Sequence, residues 1–148
     1  MEQKRKDYNI KNIFINMLLK NGKKNISEYF YNNILIELLK KTKQKPFFIL
    51  IKTINNLLPA LKLINIPFGR RRKRNKKKKK YFLIFLNKEK QIKNSIRLLL
   101  LFSKKKKTNF LKNITIEIIN TFNKKSKSIL KKQEIYKEIN KLRYNIKY

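Results

Sequence analysis

The sequence contains no cysteine and no histidine. The first absence excludes disulfides, thiolate nucleophiles and cysteine zinc ligands. The second removes the commonest metal ligand and the usual general base near neutral pH. Acids are scarce: eight Asp+Glu stand against 41 Lys+Arg, a formal charge of +33 over 148 residues. Glycine occurs twice and proline three times, so few positions are marked as breaks. The longest apolar runs, Phe47–Ile51, Tyr81–Leu86 and Leu98–Phe102, span five or six residues, whereas a membrane span needs about 18 or more. Met1–Tyr8 is charged rather than apolar, so no secretory signal is expected. Valine is absent and alanine occurs once, while Lys (34), Ile (22) and Asn (19) make up half the chain. Their codons are A/U-rich, which points to a very AT-rich genome. Part of the lysine content then records drift at surface positions.

A core can still be built. Apolar residues are 41% of the chain and include 10 Phe and 7 Tyr. The length suits one domain. Self-repulsion at +33 opposes compaction, so the free protein is expected to be marginally folded and stabilised by a polyanion.

The charge is concentrated in Gly69–Lys80, GRRRKRNKKKKK, where ten of twelve residues are cations and none is an acid. Apolar runs flank it, Ala60–Ile66 before and Tyr81–Leu86 after. Leu61, Lys62 and Leu63 alternate, and the second run is aromatic and branched, so both read as strands. A cationic block between two strands reads as the tip of a β-hairpin. Closely spaced phosphates best relieve its repulsion. Four of the seven arginines, Arg70, Arg71, Arg72 and Arg74, lie here, and arginine pairs with phosphate through two parallel hydrogen bonds. They are the preferred contacts, joined by Lys73, Lys76 and Lys77. The alternative is a solvated charge run or a localisation signal.

The rest reads as helices. Ile10, Ile13, Phe14, Met17 and Leu18 fall at helical spacing behind a basic arm, residues 1–7. Asn21-Gly22 ends that helix, with Gly22 suited to a left-handed position. Asn25 and Glu28 have the spacing of a capping box for a second helix, which runs to about Lys40 with Phe30, Ile34 and Leu38 in one row. Pro46 suits the first turn of a third helix, with Phe47, Leu50, Ile51, Ile54 and Leu58 inward and Pro59 as its stop. After the hairpin, 60–86, a fourth helix spans Lys88–Ser103 with Ile92, Ile96, Leu99 and Phe102 inward. A fifth spans about Thr108–Phe122 with Leu111, Ile114, Ile118 and Phe122. A sixth spans about Ile129–Ile146 with Ile135, Ile139, Leu142 and Ile146. The expected fold is mainly α: a single domain of about six helices with one basic β-hairpin between helices three and four.

Other cations have weaker claims. Lys23 and Lys24 follow Gly22, but a phosphate-binding loop needs a second glycine upstream and Ser or Thr after the lysine, and neither is present. Lys4, Arg5 and Lys6 suit a basic arm along RNA as well as a frayed terminus. Lys104–Lys107 reads as a solvated loop. Lys90, Lys93 and Arg97 share one side of helix four and form a candidate phosphate stripe; for Arg97 a salt bridge competes. The aromatics Phe14, Phe30, Phe47, Phe102, Phe110 and Phe122 sit at core spacing and read as packing. Tyr81 and Phe82 are the stacking candidates. Glu134 and Glu138 read as surface ion pairs rather than a catalytic carboxylate pair.

The order of elements and several residues resemble small-subunit ribosomal protein seven of the bacterial and organellar type. In Ile13–Glu28, IFINMLLKNGKKNISE, the residues Phe14, Asn16, Gly22, Lys23, Lys24 and Glu28 match that family's first two helices and their turn. Asn56–Leu63, NLLPALKL, is similar to the end of its third helix, its proline and its first strand. Arg97 falls where the family has an arginine in helix four. Glu138–Lys141, EINK, and Lys147-Tyr148 are similar to its last helix and its basic-aromatic end. The chain departs from the pattern in a longer, more cationic hairpin block, in Asn87–Gln91 where an arginine pair is usual, and in a short arm without the usual proline.

The resemblance implies a structural protein of the small-subunit head. It would bind the 3′ major domain of small-subunit rRNA, help start head assembly and contact neighbouring ribosomal proteins. Its hairpin would reach toward the messenger exit and the exit-site tRNA. No catalysis, cofactor, metal or membrane partner is expected. The alternatives are a basic membrane-surface protein and a DNA-packaging protein. Clustering of the cations on a hairpin, with matched inner helix faces, argues against the first. No groove-directed recognition helix supports the second. The composition, with no evident transit peptide, fits a gene of a reduced plastid first, a mitochondrion next, and an AT-rich bacterium as the other option.

Overall fold

A computed structural model of the chain describes residues 2–67, 79–104, 109–142 and 146–147. Its side-chain description covers 10–64, 82–104 and 109–142. The order of elements is α1 (Glu2–Leu18), α2 (Lys24–Thr42), α3 (Pro46–Leu57), β1 (Leu61–Pro67), β2 (Lys79–Phe85), α4 (Lys88–Lys104), α5 (Phe110–Phe122), α6 (Lys127–Lys141) and β3 (Ile146–Lys147). This is the expected helical domain with a hairpin between α3 and α4.

Helix α5 is the centre of the bundle and packs against α2, α3, α4 and α6. Its Ile114 and Ile118 are fully buried. Phe14 of α1, Tyr31, Ile34 and Leu38 of α2, Ile49, Leu50 and Ile54 of α3, and Ile96 of α4 complete the core. Helix α1 buries three consecutive residues, Ile13, Phe14 and Ile15, because it meets both α2 and α4. The helical backbone of α1 starts at Glu2 and so runs through the segment read as an arm.

The turn after α1 is built from two left-handed residues, Asn21 at φ 51° and Gly22 at φ 73°. They reverse the chain within one turn, so α2 starts at Lys24 with Lys23 as its N-cap and no side-chain cap bond. The expected capping box is therefore absent. Asn25 lies inside the helix, and Glu28 instead reaches Lys24 at 3.8 Å. Pro46 opens α3 as expected, but the inner face is rotated. Ile49, Leu50, Thr53, Ile54 and Leu57 are buried, whereas Phe47, Ile51 and Leu58 are half-buried. Thr53 explains the rotation. Its hydroxyl is satisfied within the core, bonded to the Ile49 carbonyl at 2.7 Å and the Ile118 carbonyl at 3.3 Å. A polar residue so paired packs like an apolar one.

Helix α4 keeps its expected inner face, with Ile92 packed against the core, and widens it. Ser95, Ile96, Leu99, Leu100 and Ser103 are buried, and Ile92 and Phe102 are half-buried. The Ser95 hydroxyl donates to the Gln91 carbonyl at 2.9 Å and that of Ser103 to Leu100 at 3.0 Å. Helix α6 starts earlier and ends sooner than its spacing predicts. Ser126 caps it, with Oγ accepting from the Ile129 N–H at 3.2 Å, and Leu142 is its C-cap. Ile146 is not helical. It lies in β3, which pairs parallel to β2 through Tyr81↔Ile146 and Phe82↔Lys147.

Strands β1 and β2 pair antiparallel from Leu61↔Phe85 to Pro67↔Lys79, a ladder about 20 Å long at roughly 3.3 Å per residue. Pro67 can accept but not donate, and it stands at the last described position of the ladder. The base of the hairpin is tied to the helices. The Ala60 N–H donates to the Tyr136 hydroxyl of α6 at 2.9 Å, and the Gln91 amide of α4 donates to the Leu86 carbonyl at 2.8 Å.

Candidate nucleic-acid interface

The candidate contacts do not converge on one pocket. They fall into groups placed by different elements. Lys23 and Lys24 are exposed at the α1–α2 turn, held there by the left-handed Asn21 and Gly22. Lys23 borders a cleft of about 630 Å³ floored by Met17, Ile26, Phe30 and Phe110, with Lys20 and Lys104 on the same rim. Phe30 and Phe110 meet edge to face, with ring centroids 6.5 Å apart. Lys104 ends α4, so this group lies at the C-terminal end of that helix.

Lys90, Lys93 and Arg97 are exposed along the N-terminal half of α4. Spacings of three and four place them on one side of the helix. Lys93 is engaged by Glu89 at 2.5 Å. The hydrogen bond from Lys93 and then its charge, with a smaller contribution from Lys90, hold the Glu89 carboxyl below its usual range. That pairing offsets part of the stripe's charge. Arg97 has no ion pair among the described residues. It borders a second cleft, about 350 Å³, between β1, α4 and α6, which Lys62 of β1 and Lys132 and Glu138 of α6 also line.

Lys132 is a cation of this cleft that the spacing did not single out. Its ammonium donates to the Asn56 carbonyl at 3.0 Å, near the C-terminus of α3, where the helix dipole favours a positive charge. Burial holds its pKa below the usual lysine range. Its signal is a contact between residues 76 apart in sequence, which no local pattern reports.

Arg70, Arg71, Arg72, Lys73, Arg74, Lys76 and Lys77 lie outside the described residues, and the side chains of Lys4, Arg5 and Lys6 lie outside the described side chains. The structure describes the strands that flank the block. By sequence, eight of the eleven residues between Pro67 and Lys79 are cations. The Tyr81 side chain is also outside the description, and Phe82 is half-buried. Phe14 is fully buried, and Phe30, Phe47, Phe102, Phe110 and Phe122 are half-buried. Glu134 pairs with Lys131 at 2.9 Å on the surface. Among the described residues no cluster of acids could hold a metal ion, and no helix is long and apolar enough to cross a membrane.

Such dispersed, exposed cations on rigid helices suit an extended polyanion, bound by shape and charge, rather than a small ligand. Comparison with known proteins agrees. The profile of the family described as ribosomal protein S7p/S5e matches residues 1–141. The chain is also similar to small ribosomal subunit protein uS7 of Mycoplasma genitalium, with 25% identity over 124 residues, covering 83% of this chain and 76% of that protein. The chain therefore belongs to the ribosomal protein S7p/S5e family and is a structural, rRNA-binding protein of the small ribosomal subunit.

Proposed function

We propose that the chain binds the 3′ major domain of small-subunit rRNA, supports assembly of the subunit head, and extends its hairpin toward the messenger exit and the exit-site tRNA. The observation that carries this reading is the paired β1–β2 ladder between α3 and α4, which brackets the arginine-rich block of the sequence. The contacts proposed are Arg70–Arg74, Lys76 and Lys77 from that block, Lys23 and Lys24 at the α1–α2 turn, and Lys90, Lys93 and Arg97 on α4. Lys4, Arg5 and Lys6 add to them along α1. Neutralised phosphates release counterions, and shape selects the site. The amino-acid composition, rich in Lys, Ile and Asn, supports a plastid ribosome first, then a mitochondrial one, with an AT-rich bacterium as the other option.

The test is ultraviolet crosslinking of the full chain in assembled small subunits, with mapping of the crosslinked nucleotides. Adducts from residues 70–80 to the 3′ major domain are expected. Adducts confined to another rRNA domain, or to DNA, would overturn the placement.

A further inference from the structure

Helix α2 is apolar on two opposite sides. Its inward side is Ser27, Tyr31, Ile34 and Leu38. Ile26, Tyr29, Ile36 and Leu39 point the other way and are 50%, 65%, 48% and 50% exposed, with Ile26 at the edge that also lines the cleft beside Lys23. At about 100° per residue they fall within one outward arc, and they line roughly 20 Å of helix. Asn25, Asn32, Asn33 and Lys40 share this arc, yet four large apolar side chains on one exposed helix face are more than a solvated side needs.

Charge says what covers it. Residues 25–39 contain no lysine or arginine, a run of fifteen in a chain where 41 of 148 residues are cations, and the first cation on the outward arc is Lys40 at its C-terminal end. The same run holds two of the eight acids, Glu28 and Glu37. By the same helical rotation these two border the apolar arc, one on each side. Their pairings with Lys24 and Lys41 are loose, at 3.8 and 3.9 Å, so the acids remain open to a further cation. A phosphate backbone gains little from a face whose one cation within the arc is Lys40 and is repelled by the carboxylates that border it. A protein with an apolar strip and cationic flanks matches the face in both respects.

We propose that the outer face of α2 docks a neighbouring basic protein of the small subunit, through an apolar helix or strand whose Lys or Arg side chains meet Glu28 and Glu37. This rests on the reading that the chain is built into small subunits and adds which surface is reserved for protein. Tyr29, the most exposed of the four, is its centre.

The test places p-benzoylphenylalanine at Tyr29, and separately at Lys93, in full chains assembled into small subunits. Irradiation at position 29 is expected to give an adduct to one other small-subunit protein, at a Lys/Arg-rich segment, and irradiation at position 93 an adduct to rRNA. A position-29 adduct to rRNA, an adduct to a second copy of the chain, or no adduct in intact particles would each overturn the proposal. The double variant Tyr29→Lys/Ile36→Lys changes exposed positions only. It is expected to bind rRNA at least as tightly as the parent while retention of the crosslinked protein falls at least tenfold; unchanged retention would overturn the proposal. If the unmodified chain failed to sediment with small subunits, the reading of function would fail first, and the docking face with it.

Discussion

At the residue scale, two buried polar groups have consequences that can be measured. Glu117 of α5 is 4% exposed, and its carboxylate accepts from the Ser128 hydroxyl at 2.7 Å and the Ser128 N–H at 3.3 Å. It thus reaches across to the first turn of α6, where backbone donors lack intrahelical partners and negative charge is favoured. Glu117→Ala is expected to destabilise the fold by about 1–3 kcal/mol, the cost of stranding buried donors, read as a lower midpoint in thermal unfolding. Tyr31 is the second. Its ring lies 5.6 Å from that of Phe14, and burial pushes its phenol up to about 12 from 10.0. Below pH 10 the phenol is neutral in both folded and unfolded chains and contributes no pH dependence. As pH rises from 10 toward 12 the unfolded chain releases the proton first, so stability falls over that window. Tyr31→Phe is expected to flatten the alkaline end of a stability-against-pH curve and leave the neutral region nearly unchanged. Neither residue was legible in the sequence. Glu117 has no local partner that marks it, and Tyr31 stands beside Phe30, which the spacing preferred for the core.

At the scale of elements, existence and order were legible, and faces and ends less so. Pro46, Pro59 and Asn21-Gly22 punctuate the chain where the helices stop and start. The inner face of α3 is rotated and that of α4 widened relative to their apolar spacing, because Thr53, Ser95 and Ser103 are buried with their hydroxyls bonded to carbonyls. The end of α6 was placed too late because Ile146 continues the helical period, while its backbone pairs with β2 instead. Of the candidate interface, the α4 stripe and the α1–α2 turn were legible as charge at helical or turn positions. Lys132 was not, since its partner is remote in sequence. The turn itself yields a prediction. Gly22 sits at φ 73°, and a Cβ added there would meet nothing within 4 Å. Gly22→Ala therefore costs backbone strain without a clash, roughly 1 kcal/mol, whereas Gly22→Asn costs less because asparagine tolerates the left-handed region. Denaturant titration of the two variants checks the order.

At the scale of the whole molecule, charge governs behaviour. A formal +33 on 148 residues leaves few internal acids to offset repulsion, and the four ion pairs among the described residues are short-range and exposed. Such pairs contribute about 0–1 kcal/mol each, too little to balance the excess. Binding to rRNA is expected to weaken steeply with salt, roughly a thousandfold between 50 and 200 mM if about six phosphates are neutralised; filter binding across that range gives the slope. A shallow slope would contradict counterion release as the source of affinity. The same reasoning predicts a higher melting temperature in the presence of the rRNA fragment, seen by circular dichroism.

The central place of α5 has a consequence in time rather than space. During synthesis the chain appears from its first residue onward, and α1 to α4 precede α5 in that order. Each of α2, α3 and α4 lays core residues against a helix that does not yet exist. Until residue 122 has cleared the ribosome that is making it, the inner faces have only one another, with Ile114 and Ile118 missing from between them. The protein is thus expected to fold late and in one step, when its keystone helix emerges, and to need shielding of a long apolar and cationic nascent segment before then.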